Sequence, residues 1–140
     1  MPILLVEDEH DSVVLIQDAL GEASFPYSLH LVETGEEAVA YLAGEGKFMN
    51  RDEYPFPFLL LLDLKMPGIG GFGVLRWLRS RLDLMGRLKV VIVSAVRSSR
   101  EIEVVYELGA HFFWPKSDCH ALQETIRCLQ ESWSALSPVG

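Results

Sequence analysis

Phe58-Leu59-Leu60-Leu61-Leu62-Asp63 is a run of five apolar residues that ends on a carboxylate. A strand wet on one face alternates apolar and polar residues. A run apolar at every position instead fits a strand covered on both faces, as in a parallel sheet between two helical layers. Ile3-Leu4-Leu5-Val6 upstream and Val90-Val91-Ile92-Val93 downstream share this character. Ser28-Leu29-His30-Leu31-Val32 starts with alternation, as an edge strand would. The aromatic-rich stretch from Ala110 to Trp114 supplies a fifth strand.

Helical spacing fills the intervals. Val13, Ile16 and Leu20 line one face of a first helix that stops at Gly21. Thr34 and Glu37 have capping-box spacing at the start of a second helix, which Gly44 closes. Phe72, Leu75, Leu78 and Leu82 mark the third. Ser98 and Glu101 repeat the capping pattern before Ile102, Val105 and Leu108 of a fourth, ended by Gly109. Leu122, Ile126, Leu129 and Trp133 form the apolar stripe of a fifth. Strand and helix thus alternate five times, which predicts an α/β fold with a parallel sheet and helices on both faces. Residues 45–57 read as a long surface connection. With no repeat and no composition break, 1–140 reads as a single domain.

The charge balance narrows the function classes. Twenty acids against 12 bases leave a net charge of −8, which repels nucleic acid. The one dense basic cluster, Arg76, Arg79 and Arg81, reads as a solvated helix face. No apolar run approaches the roughly 20 residues of a membrane span, and the start of the chain carries no basic, cleavable signal. Cys119 and Cys128 lie nine positions apart in a helical segment, hence on opposite sides of it, so they cannot pair. Free thiols fit a reducing cytoplasm. Four scattered histidines give a zinc site little support.

In such sheets, ligands bind beyond the carboxyl ends of the strands. The first strand ends on Glu7-Asp8, the third on Asp63, the fourth on Ser94, and the fifth runs into Lys116. Three carboxylates, a hydroxyl and an ammonium therefore meet on one rim. Packed carboxylates repel unless cations offset them, and an open oxygen-rich site suits Mg²⁺. Asp63 could then act as a carboxylate nucleophile toward phosphorus, with Lys116 neutralising phosphoryl charge and Ser94 donating a hydrogen bond. Taken singly, each residue has a plainer reading. Asp63 could form a turn, Glu7-Asp8-Glu9 could be a solvated first helical turn, Ser94 a cap and Lys116 a surface lysine. Agreement among the strand ends favours the site.

These stretches resemble the receiver domains of two-component response regulators over almost the whole chain. The resemblance rests on Ile3 to Glu9, on Leu61-Leu62-Asp63-Leu64-Lys65-Met66-Pro67-Gly68, on Val93-Ser94-Ala95, and on Gly109 to Lys116. It implies a flavodoxin-like (βα)5 doubly wound sheet in strand order 2-1-3-4-5. It also implies that Asp63 accepts a phosphoryl group from a phosphohistidine of a sensor histidine kinase or histidine phosphotransfer protein. Mg²⁺, for which Mn²⁺ can substitute, would be held by Asp8, Asp63, Glu7 through water and the main-chain carbonyl of Lys65. Ser94 falls at the switch hydroxyl, Lys116 at the phosphoryl-binding lysine and Phe113 at the switch aromatic, although a core aromatic would look the same. Self-phosphorylation from a phosphodonor and self-dephosphorylation are expected, not the turnover of an ordinary enzyme.

The segment before the third strand resembles stand-alone receivers paired with bacterial phytochromes. That extends the expectation to a homodimer through the fourth helix, fifth strand and fifth helix. Phe112 and Trp114 should point away from Phe113, toward either such an interface or a covering helix. Three positions depart from the family pattern. Glu7 replaces a common Asp, Gly70 an acidic or amide residue, and Ser117 a proline that Pro115 precedes instead. A non-proline cis bond costs about 2.5–4 kcal/mol, so none is expected at Ser117.

Rival readings differ at identifiable residues. A flavin-binding protein of the same fold would need a phosphate-cradling first loop, whereas Glu7-Asp8-Glu9-His10-Asp11 repels phosphate. A phosphohydrolase using an aspartyl phosphate would carry a second Asp where Lys65 stands. A receiver-fold module acting by protein contact alone, without phosphorylation, remains the alternative, against which the intact site residues argue.

Overall fold

The computed structural model describes residues 1–22, 27–95, 98–116 and 119–136. Five parallel strands form one sheet in the order β2-β1-β3-β4-β5. They are β1 (Pro2–Val6), β2 (Ser28–Val32), β3 (Leu59–Leu62), β4 (Lys89–Ser94) and β5 (Phe112–Pro115). The helices are α1 (His10–Glu22), α2 (Gly35–Ala43), α3 (Gly70–Arg79), the single turn α4 (Leu82–Met85), α5 (Ser99–Glu107) and α6 (Cys119–Leu136). The expected order 2-1-3-4-5 is the observed one. The extra turn makes the anticipated fourth and fifth helices α5 and α6.

The uniformly apolar strands serve two cores at once, because successive side chains point to opposite faces. Leu4, Val6, Leu60, Leu62, Val90 and Ile92 face the layer that contains Ala38, Leu75, Leu78 and Val105. Ile3, Leu5, Leu59, Leu61, Val91 and Val93 face Val13, Ile16 and Leu20 of α1 and Leu122, Ile126 and Leu129 of α6. Trp133 of the expected α6 stripe lies outside the residues whose side chains are described, as does the side chain of Cys119. Cys128 is a free, exposed thiol.

Local chemistry sets several boundaries. Thr34 Oγ1 accepts from Glu37 N–H at 3.1 Å, and α2 ends on Gly44 in the left-handed region, as the sequence predicts. Ser98 stands at the α5 N-cap but its side chain makes no capping bond. The predicted third helix is shorter than its apolar spacing suggests. Ser80 Oγ donates to Trp77 O at 2.6 Å, Arg81 leaves the helical region, and Leu82 begins a separate turn with its side chain 71% exposed. The 45–57 connection is more than a surface loop. Phe48 is buried, and the Arg51 guanidinium donates to the carbonyls of Tyr41, Leu42 and Tyr54 at 2.8, 2.9 and 3.1 Å.

Candidate functional site

Backbone bonds past the strand ends align the rim. Glu7 N–H donates to Val32 O at 3.1 Å, Asp63 N–H to Val6 O at 3.1 Å, and Lys116 N–H to Ser94 O at 3.0 Å. Glu7, Asp63 and Lys116 thus stand one step beyond β1, β3 and β5, with Ser94 closing β4 between the last two. Glu7, Asp8 and Asp63 come together, with one oxygen from each lying within 4.8 Å of the others. Glu7 and Asp63 are buried while Asp8 is exposed, so the cluster opens to solvent on the Asp8 side.

Lys116 bridges the buried pair. Its Nζ lies 3.0 Å from Glu7 Oε2 and 3.3 Å from Asp63 Oδ2. Glu7 Oε1 accepts from Glu9 N–H at 3.1 Å, and Asp63 Oδ1 from Lys65 N–H at 3.2 Å. Glu7 Oε2 forms an ion pair with the ammonium but receives no directed hydrogen bond. It is the one buried side-chain polar atom so placed among the described residues. Burial pushes the Glu7 carboxyl up to about 7; the Lys116 ammonium and Glu9 N–H oppose this, and the Asp63 charge adds to it. For Lys116, burial is the largest influence and acts downward. The Glu7 and Asp63 carboxylates outweigh it and hold the ammonium above its usual range.

Three carboxylates with one oxygen of each within 4.8 Å of the others, open to water on the Asp8 side, are the donor set a hard divalent cation takes. Glu7, Asp8 and Asp63 fit such an ion.

Ser94 is fully buried at the end of β4. Phe113 is half-buried and packs on the face with Leu60, Leu62 and Ile92. Trp114 packs on the opposite face against the α1 and α6 side, and Phe112 stacks on it with ring centroids 5.4 Å apart. The alternation predicted for these aromatics is therefore observed, with Trp114 buried and Phe112 partly exposed. Ser117 lies outside the described residues, among which there is no cis peptide bond.

Two residues at the rim escaped the sequence reading. Ser12, buried on α1, accepts a hydrogen bond from Lys116 Nζ at 3.0 Å. Its signal was a polar residue one turn before Ile16 on the apolar stripe. Glu36, in the first turn of α2, accepts from Ile69 N–H at 2.6 Å and lies against Gly68, clamping the loop after Asp63. Gly68 and Gly70 both have positive φ there, a conformation glycine adopts without strain, and Gly68 lies directly against that carboxylate.

The family profile described as the response regulator receiver domain matches residues 3–127. The chain belongs to the response regulator receiver family. This receiver is 32% identical over 132 residues to the response regulator Rcp1 of Synechocystis sp. (strain ATCC 27184 / PCC 6803 / Kazusa), covering 94% of this chain and 87% of that one. Among solved structures, it is similar to the phosphorylated cyanobacterial phytochrome response regulator RcpA, with a TM-score of 0.79 and 32% identity over 97% and 95% of the two chains. The Mn²⁺-bound form of Rcp1 gives a TM-score of 0.78 and 28% identity, covering 94% of this receiver and 93% of that chain. Among the described residues, no helix of the receiver is long and apolar enough to cross a membrane.

Proposed function

We propose that this receiver is a cytoplasmic response regulator that accepts a phosphoryl group on Asp63 from the phosphohistidine of a sensor histidine kinase or histidine phosphotransfer protein. The observation that carries the reading is the meeting of Glu7, Asp8 and Asp63, one oxygen of each within 4.8 Å of the others, with the Lys116 ammonium bridging Glu7 and Asp63. Glu7, Asp8, Asp63 and the main-chain carbonyl of Lys65 would hold Mg²⁺ or Mn²⁺. When bound, the ion supplies positive charge against the carboxylates and the phosphoryl oxygens.

Asp63 is held for attack from both sides, by Lys65 N–H on Oδ1 and Lys116 on Oδ2. One of its oxygens forms the new P–O bond as the P–N bond to the donor imidazole breaks, and that nitrogen recovers a proton. Lys116 moves from a carboxylate pair to the phosphoryl oxygens, where its charge lowers the barrier. Ser94 then donates a hydrogen bond to the phosphoryl group from the adjacent strand end. Phe113, two steps along the β4–β5 register from Pro115, follows inward. Phosphorylation shifts a conformational equilibrium that already exists. The readout surface lies on α5, β5 and α6, where Tyr106 and Phe112 are exposed, and a homodimer through that face is part of the proposal. Hydrolysis of the acyl phosphate resets the protein. Lys65, standing where a phosphohydrolase has its acid–base Asp, makes sustained turnover of phosphate esters unexpected.

Asp63→Asn tests the assignment. Wild type incubated with Mg²⁺ and radiolabelled acetyl phosphate should acquire acid-stable, base-labile label, and the variant none. Label on Asp63→Asn equal to wild type overturns it, and absence of label on wild type with any donor favours a module that acts by contact alone.

A further inference from the structure

Ser12 has no part in the chemistry described so far, yet it makes one of the three close polar contacts of Lys116 given above. Its Oγ lies 3.0 Å from Nζ, nearer than Asp63 Oδ2 at 3.3 Å, and it is 6% exposed in the first turn of α1. An ammonium has three protons to place. Of the contacts of this ammonium named above, Glu7 and Asp63 are carboxylates of the proposed cation site, and Ser12 is a neutral hydroxyl outside it.

We infer that Ser12 is a positioning residue that anchors the Lys116 ammonium beside Asp63 during phosphoryl transfer. The inference rests on the proposed role of Asp63. Glu7 and Asp63, if they held a cation, would have less of their charge left for Lys116. Ser12 Oγ remains as an acceptor that carries no charge and binds no metal, and it keeps Nζ on the α1 side within reach of a phosphoryl group on Asp63. Without it, the side chain can fall back onto the carboxylates and oppose the cation, or swing toward the solvent that already reaches 15% of it. The four-carbon stem of lysine has many rotamers, so one fixed acceptor removes much of that freedom.

Ser12→Ala is a mild change for stability, since alanine is the better helix former and the lost hydroxyl leaves little space. Initial labelling rates with radiolabelled acetyl phosphate at saturating Mg²⁺ would be measured in wild type, Ser12→Ala, Lys116→Ala and the double variant. Ser12→Ala should slow labelling about tenfold, the order expected for one charge-assisted hydrogen bond. In the Lys116→Ala background it should change the rate less than about twofold, because the group it positions is gone. An unchanged rate in Ser12→Ala, or an equal slowing in both backgrounds, overturns the inference while leaving Asp63 as phosphoacceptor. Failure of wild type to label overturns the Asp63 reading and this inference with it.

Discussion

His111 holds the start of β5 with both its backbone and its ring. Its N–H donates to Val90 O at 2.8 Å, and its Nδ1 accepts from Val90 N–H at 3.0 Å, so the ring stands in for the strand residue that β4 would otherwise pair with. The accepting nitrogen must carry no proton, which fixes a neutral ring. Burial, with the Lys89 charge adding, holds its pKa below the ordinary 6.5. Between that lowered value and 6.5 the unfolded chain binds a proton that the native state does not. Its contribution is therefore complete above 6.5 and is lost as pH falls through the window. Urea midpoints should drop from pH 8 to pH 5 by more in wild type than in His111→Asn, whose amide oxygen can accept from Val90 N–H and does not titrate. Parallel curves for the two proteins would contradict this role.

At the scale of elements, Arg51 secures the 45–57 connection to α2. Its guanidinium takes the carbonyls of Tyr41 and Leu42 at the end of that helix, and lies over the rings of Tyr41 and Phe56. Tyr41 OH donates to Pro55 O at 3.0 Å, closing the same loop from the other side. Arg51→Ala should cost about 2–3 kcal/mol, the range for losing hydrogen bonds from a charged group, read as a lower urea midpoint. New proteolytic cleavage should appear within 45–57. Within this connection Tyr54 packs on His30 of β2, at the sheet edge opposite β5 and Lys116, so labelling of Asp63 should survive. Simultaneous loss of labelling would mean that the loop reaches the site.

At the scale of the whole molecule, a chain of net charge −8 concentrates three carboxylates at one end of its sheet, two of them buried. That arrangement stores repulsion which a bound divalent cation relieves only in the folded state. Mg²⁺ at about a hundred times its Kd should add about 2.7 kcal/mol of stability, which for a domain of this size raises Tm by roughly 5–10 °C. Calorimetry with Mg²⁺, with EDTA and with NaCl at matched ionic strength separates binding from screening. Glu7→Gln should reduce the Mg²⁺ gain. An equal rise with NaCl would remove the cation site from the account.

Strands β1 to β4 and one capping box were legible in the sequence, because each depends on residues close together along the chain. Uniformly apolar runs can be satisfied only where both faces are covered, so β1, β3 and β4 followed as strands of a parallel sheet, the strand ends named Glu7, Asp8, Asp63, Ser94 and Lys116, and the strand order came from the family resemblance. The break after Arg79 was hidden by Leu82, whose apolar character continues the helical spacing although its side chain faces water. The start of β5 was read too early because Ala110 N–H bonds to Val105 O at the exit of α5 and His111 pairs with β4 through its ring. Ser12 beside Lys116 and Glu36 beneath the loop after Asp63 join residues 104 and 33 positions apart. Such partners carry no mark in sequence, since only the folded sheet brings α1 to the end of β5 and α2 to the turn after β3, where a short polar side chain finds its acceptor or donor by distance alone.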